Sequence, residues 1–346
     1  MALTLTVVCV GILAVFALCM YTQLKPTSTS KLPLPPGPKG LPILGNINDL
    51  PKPGKLECHH WAQYKDHYGP ISSITVLGQT FIIINDAEIA FELMRDRSAI
   101  YSSRPGQVFS SIETADRPYE FVKRQMAEKR HSPSFLSQCV DSSGDDAQLD
   151  FIHKYAAVSL YLGGADTTVS AMMTFFLAVM VFPEVQEKAR KEIDHVTGSI
   201  SLPPYFSKSS PCRWFTHDPE VYPDPMAFRP ERHFNTPNHR AEPDPRNFIF
   251  GYGRRICPGR WVADNALFIT IAQTLAVFDI KKPIDETTGE VVEPDIKFEP
   301  GAISHPLPYR ALIRPRSEKH AELIRAAEKE YPWEVSDAKE LESINC

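Results

Sequence analysis

Cys257 stands in the stretch FIFGYGRRICPGRW, residues 248–261, with Phe250, Gly253 and Arg255 before it and Gly259 after it. Glycines at these positions permit positive φ and close backbone approach. Pro258 can open a following helix, and the amino end of a helix carries partial positive charge that favours a thiolate. A cysteine so placed is a candidate metal ligand or nucleophile. No cysteine or histidine lies at zinc-ligand spacing from it, which argues against zinc. A second cluster, GGADTT, brings Gly163, Gly164, Asp166 and Thr167 together. Paired glycines weaken a helix, and neighbouring Asp and Thr side chains bond backbone groups, so the stretch predicts a local distortion with room for a ligand. Taken alone, it reads as a kinked core helix.

The elements that must carry these clusters follow from periodicity. Residues 147–182, rich in Ala, Leu and aromatics, form the longest helical candidate and contain the GGADTT cluster. A membrane span is the competing reading. Asp150, His153, Lys154 and Asp166 fall within the stretch and the charge-free part is only 16 residues, so a buried helix is expected. Pro183 then suits the first turn of a helix whose Glu and Lys pairs mark a solvated face. Residues 258–278 are apolar on nearly every side and predict a core helix beginning close to Cys257. Upstream, β-branched runs at 71–76 and 81–84 flank Gly78, and Asp86 is a plausible N-cap, giving a hairpin that feeds a helix. Residues 111–139 are helix-compatible until HSPSF interrupts them, and residues 201–247 read as an ordered, proline-punctuated meander.

Composition bounds the function. A chain of 346 residues with 43% hydrophobic content can build a large core, and a net charge of -5 argues against a nucleic-acid partner. Seven cysteines without a CxxC pair do not make a disulfide framework, and a reducing compartment fits them better. Residues 1–24 lack any charge and are nearly continuously apolar, which predicts a transmembrane anchor. The first charges, Lys25, Lys31 and Lys39, follow it and place the rest on the cytoplasmic side. Pro33, Pro35, Pro36 and Pro38 make residues 25–50 a stiff connector. Residues 51–316 are then one domain and 317–346 a charged, partly helical tail.

On Phe250, Gly253, Arg255, Cys257 and Gly259 the sequence resembles the cytochrome P450 family, the haem-thiolate monooxygenases, whose signature places those residue types at that spacing. GGADTT, PPGPKGLPILGN, PEVQEKARKEID and THDPEVYPDPMAFRPERHF add to the resemblance, and their wording is closest to fungal microsomal members. The resemblance implies a mainly α fold with small β-sheets (α+β), here incomplete, behind an N-terminal transmembrane helix. It implies haem b with Cys257 as the axial thiolate, which pushes electron density towards bound oxygen and favours O–O cleavage. Arg255 would pair with a haem propionate, and Phe250 would pack near the sulfur and tune its potential. Asp166 and Thr167 would form the catalytic proton relay.

Two of the family's features are missing. Arg232 in the PER turn normally joins a buried triad with the Glu and Arg of an E-x-x-R helix, yet residues 199–216 hold no glutamate. The pairs Glu92/Arg95, Glu187/Arg190 and Glu322/Arg325 fall in the wrong elements. Arg232 is therefore expected to be unpaired, a condition costing on the order of 3–5 kcal/mol when a buried ion pair is broken. The family's Trp-x-x-x-Arg is also absent, since Lys65, Asp218, Asn265 and Asp337 stand four residues after the four tryptophans. Only 58 residues separate Arg104 from Gly163, where the family has many helices.

The resemblance implies a monooxygenase that inserts one atom of dioxygen into a lipophilic substrate, in secondary metabolism, with electrons from an NADPH-dependent reductase. It also implies a single-pass protein of the endoplasmic reticulum membrane with its catalytic domain in the cytoplasm. Two alternatives stay open: an inactive membrane protein that keeps part of the fold, and a reductase-independent enzyme that rearranges peroxides.

Overall fold

The computed structural model describes Gly11 and residues 32–103, 112–144, 146–195, 213–301 and 303–344. The expected anchor, apart from Gly11, lies outside the described residues, as do Arg104, Cys9, Cys19, Cys212 and Cys346. Among the described cysteines, Cys58, Cys139 and Cys257 are free thiols.

The architecture is mainly helical with two small antiparallel sheets. Helix α1 (Glu57–Tyr68) precedes a hairpin of β1 (Ile71–Val76) and β2 (Gln79–Ile84), registered from Ile71 opposite Ile84 to Val76 opposite Gln79. Its two-residue turn, Leu77 and Gly78, has both φ angles positive, at 49° and 84°, which matches the twist of a tight hairpin. Asp86 caps α2 (Ala87–Phe91) as expected, accepting a hydrogen bond from the Ile89 amide at 2.9 Å. A π-helical turn (Glu92–Asp96) and α3 (Ser98–Tyr101) follow. Then come α4 (Ile112–Ala127), α5 (Phe135–Ser143), the long α6 (Ala147–Val181), α7 (Pro183–His195) and α8 (Arg213–His217). The chain continues through α9 (Arg246–Ile249), α10 (Arg260–Val277), β3 (Phe278–Lys281), β4 (Leu312–Pro315), α11 (Glu318–Glu330) and α12 (Ala338–Glu342). HSPSF does interrupt the helical run: Ser134 and Ser137 form a reciprocal capping box that starts α5 afresh.

The core sits where α6 ends. Leu177, Val179 and Met180 pack with Ile280 of β3, and Phe298, Tyr309 and Ala311 close over them. Helix α7 joins this core through the Gln186 amide and through Arg190, which donates to the Phe278 carbonyl at 2.7 Å. Gln186 donates to the Ile280 carbonyl at 2.8 Å and accepts from the Ile280 amide at 3.0 Å, taking the place of a neighbouring strand. Helix α6 also packs against α4, α5 and α10, so it is the axis on which the other helices are assembled.

The burial expected of α6 and α10 is not found, while the connector and the charged, partly helical tail both make contacts with the domain. The described part of the proline-rich connector belongs to the domain: Ser73 donates to the carbonyls of Pro35 and Pro36, and the Asn46 side chain bonds the Thr75 amide. A Cβ on Gly37 would lie 1.9 Å from the Ser73 carbonyl oxygen, so glycine is required for that approach. Helix α6 is less buried than a core helix, with 28% of its most apolar window covered and residues 159–167 exposed. Helix α10 buries Leu267, Thr274 and Leu275, while Trp261 and Val262 are 65% and 73% exposed. The carboxyl-terminal tail folds back on α4, where Glu340 pairs with Arg124 at 2.8 Å and Asp337 accepts from Gln125 at 3.2 Å.

Candidate functional site around Cys257

Helix α9 ends at Phe250, and the chain then turns through Gly251 and Gly253, with φ of 77° and 55°. The Cys257 amide donates to the Phe250 carbonyl at 2.7 Å, closing the loop that carries the thiol. Gly253 is wedged against the π-helical turn: a Cβ there would sit 1.9 Å from the Met94 carbonyl oxygen and 2.7 Å from Cα of Arg95. Gly259 is the N-cap of α10, and a Cβ on it would lie 3.8 Å from the Cys257 sulfur. The half-buried thiol thus sits at the positive end of an 18-residue helix, as its sequence context predicts.

Aromatic and ionic contacts fix this loop from both sides. Phe91 packs edge-on to Tyr252 with centroids 4.9 Å apart and also touches Phe248. Arg246 bridges Asp244, just upstream, to Asp264 of α10 at 3.2 Å. Arg255 gives its Nε proton to the Ser102 carbonyl and is otherwise exposed.

The expectation for Arg232 is overturned. Its Nη1 lies 2.7 Å from Glu242 Oε2, both side chains are about nine-tenths buried, and the guanidinium also donates to the carbonyls of Pro223, Asp224 and Ala227. The Glu242 amide returns a bond to the Arg232 carbonyl at 2.7 Å. A carboxylate ten residues downstream therefore closes the meander locally, where the resemblance called for a distant helix. Lys188 of α7 adds an ion pair to Glu231. The three E-x-x-R matches are indeed engaged elsewhere: Arg95 with Asp96, Arg190 with Asp279 and Arg325 with Glu318.

Asp166 and Thr167 lie on an exposed face of α6. The helix is continuous through Gly163 and Gly164, and Thr167 Oγ1 donates back to the Gly163 carbonyl at 2.7 Å, the back-bond by which Ser and Thr side chains bend helices. Cβ atoms on Gly163 or Gly164 would meet nothing within 4 Å, which leaves open space beside the acid and alcohol. Asp166 Oδ2 is 3.0 Å from His305 Nε2, a partner 139 residues away to which no local pattern points. Glu242, Ser102 and Met94 were likewise invisible, because each acts through tertiary contact or its backbone.

The donor chemistry suits one kind of group. Among the described residues no three His, Cys, Asp or Glu side chains gather to hold a bare metal ion. A single free thiol suits a metal whose other ligands come with it, as in haem, and open space beside an acid and an alcohol suits a reacting ligand. The family model for cytochrome P450 matches residues 35–131, 110–208 and 211–312. This chain belongs to the cytochrome P450 family. It is 30% identical to the cytochrome P450 monooxygenase claR of Ampulloclitocybe clavipes, covering 98% of this chain and 96% of that one. It is 30% identical to the cytochrome P450 monooxygenase CLM2 of Gibberella zeae over 89% and 94% of the two chains. The O-methylsterigmatocystin oxidoreductase of Aspergillus flavus is 26% identical over 97% of each. The claR alignment runs to 523 positions against a chain of 346 residues, so at least 177 positions hold no residue of this P450. The family match comes in three pieces, the first two overlapping at residues 110–131 and the last two separated at 209–210.

Proposed function

We propose that this P450 is a membrane-anchored haem-thiolate monooxygenase that inserts one atom of dioxygen into a lipophilic small molecule, with electrons from an NADPH-dependent reductase. The observation that carries the reading is the Cys257 loop, closed by the bond from the Cys257 amide to Phe250 and wedged at Gly253 on the π-helical turn. A secondary metabolite is the substrate class supported by the relative named O-methylsterigmatocystin oxidoreductase. The charge-free residues 1–24 support the anchor and an endoplasmic reticulum location with the domain in the cytoplasm.

When bound, haem supplies the oxygen-activating iron that no side chain here provides. Cys257, just before α10, would ligate that iron through its sulfur. Arg255, turned outward beside Ser102, would meet a propionate with its remaining N–H groups. Phe250 precedes the thiol on the same closed loop and would shield it. Asp166 would hold a proton at its carboxylate and release it towards the space beside Gly163 and Gly164. Thr167 would give up its bond to Gly163 and turn its hydroxyl to a water or oxygen there. The peptide bonds and side chains of α6 must also exclude water, and this chain does so incompletely: Leu160, Tyr161 and Leu162 are 48%, 57% and 47% exposed.

That exposure favours a second reading, a non-catalytic membrane protein that keeps the loop and holds haem weakly or not at all. The reduced carbon-monoxide difference spectrum of the full chain in microsomal membranes separates the two. A Soret band of thiolate ligation that disappears in Cys257→Ala supports the enzyme. Its absence with protein present leaves the second reading.

A further inference from the structure

Asp166 is bound by a part of the chain that lies far from it in sequence. Residues 297–301 and 303–309 lie side by side: Phe298 bridges Pro306, the Glu299 amide bonds the His305 carbonyl at 2.8 Å, and Ser304 Oγ donates to the Glu299 carbonyl at 2.7 Å. Three bonds fasten these residues to one face of α6. Tyr309 donates to the Met173 carbonyl at 2.6 Å, Ser170 donates to the Ser304 carbonyl at 2.9 Å, and His305 Nε2 meets Asp166 Oδ2 at 3.0 Å. Positions 166, 170 and 173 are four and three residues apart, the spacing of one helical stripe. Ser170 and Ser304 are both 2% exposed, so the middle fastening is dry and holds these residues in register.

We infer that His305 is the positioning residue for Asp166. The inference rests on the reading of Asp166 as a proton-holding group. An aspartate on an exposed helix face has free rotation about two bonds. With the imidazole proton on Nε2, His305 fixes one carboxylate oxygen and leaves the other to serve the space beside Gly163 and Gly164. The imidazole is itself held, since His305 is 21% exposed while Asp166 is 52% exposed. The order of control therefore runs from the buried Ser170–Ser304 bond, through residues 303–309, to the carboxylate. Thr167, committed to the Gly163 carbonyl, has no such partner from outside the helix among the described residues.

Two measurements on the full chain in nanodiscs test this. Nitrogen-15 shifts of His305, assigned by loss of the signal in His305→Ala, are read with and without Asp166→Asn; this needs no haem. The expected result is an Nε2-protonated ring whose shifts move when the carboxylate becomes an amide. Unmoved shifts overturn the inference, whether or not the chain holds haem. In the haem-loaded protein with reductase, peroxide released per NADPH is expected to rise several-fold in His305→Ala and to return towards the parent value in His305→Gln, whose amide can still donate. The carbon-monoxide spectrum is expected to stay unchanged in both variants. Equal peroxide yield in all three proteins overturns the role of His305 in the reaction. A chain that binds no haem rejects the functional reading, and the nitrogen shifts still decide the positioning.

Discussion

A methyl group on Gly253 would lie 1.9 Å from the Met94 carbonyl oxygen, and the φ of 55° adds the cost of a left-handed conformation, about 1–2 kcal/mol for an L-residue. Neither partner can retreat cheaply, because the obstacle is backbone. Gly253→Ala is therefore expected to displace the Cys257 loop and to remove the thiolate-type carbon-monoxide band while the helical circular dichroism persists. A retained band would mean that the π-helical turn is soft. Thr167→Ala separates structure from chemistry at the neighbouring cluster. It deletes only a side-chain bond to the Gly163 carbonyl on an exposed helix face, and alanine is the better helix former, so stability should hold or rise by a few tenths of a kcal/mol. Haem binding should persist while more of the consumed NADPH ends as peroxide. Unchanged coupling would remove Thr167 from the relay.

Among the elements, the meander carries the clearest energetic consequence. Glu242→Gln keeps the shape of the side chain but leaves Arg232, about nine-tenths buried, facing an amide. Breaking one side of such a pair costs roughly 3–5 kcal/mol, and a lowered urea midpoint would register it. A midpoint shift within error would mean that the three carbonyl partners of Arg232 suffice. His233, the next residue, gives the meander a pH dependence. Burial, the largest influence, holds its pKa below the usual 6.5 against the opposing pull of Glu242 and Asp244 and in step with the repulsion of Arg232. The folded state thus takes up a proton less readily than the unfolded one. Its stability is complete above the unfolded pKa and is lost as the pH falls from about 6.5 towards the folded value. Urea midpoints taken across that interval should drop, and the drop should shrink in His233→Gln. These features mark how far the sequence was legible. The hairpin, the Asp86 cap, the start of α7 at Pro183 and the Cys257 helix start depend on local chemistry and were readable. The Glu242 partner and the His305 contact depend on how the chain returns on itself, and no spacing announces them.

At the scale of the whole molecule, the long helices read as core because their residues are apolar, yet apolar composition alone does not decide what covers a face. Trp261, Val262 and residues 159–162 are exposed along α6 and α10, and the alignment to claR leaves at least 177 positions unfilled. At the carboxyl end the charged, partly helical tail pairs with α4 and the residues just after it: Glu340 takes Arg124 and Arg130, Asp337 takes Gln125, and Ile344 is 8% exposed. This contact ties the last helix to a segment more than 200 residues earlier, with 216 between Arg124 and Glu340, and it helps to hold α4 against α6. A chain ended after Ser336 loses the burial of Ile344, worth about 1.5–3 kcal/mol for a large aliphatic side chain, together with partly exposed ion pairs that add little. Its urea midpoint is expected to fall accordingly, and limited proteolysis should open new cuts at Arg124 in α4 and at Arg130 just beyond its end before any appear in α10. If the shortened chain resists protease as the parent does, α4 is secured by α6 alone and the docking of the tail contributes nothing to the fold.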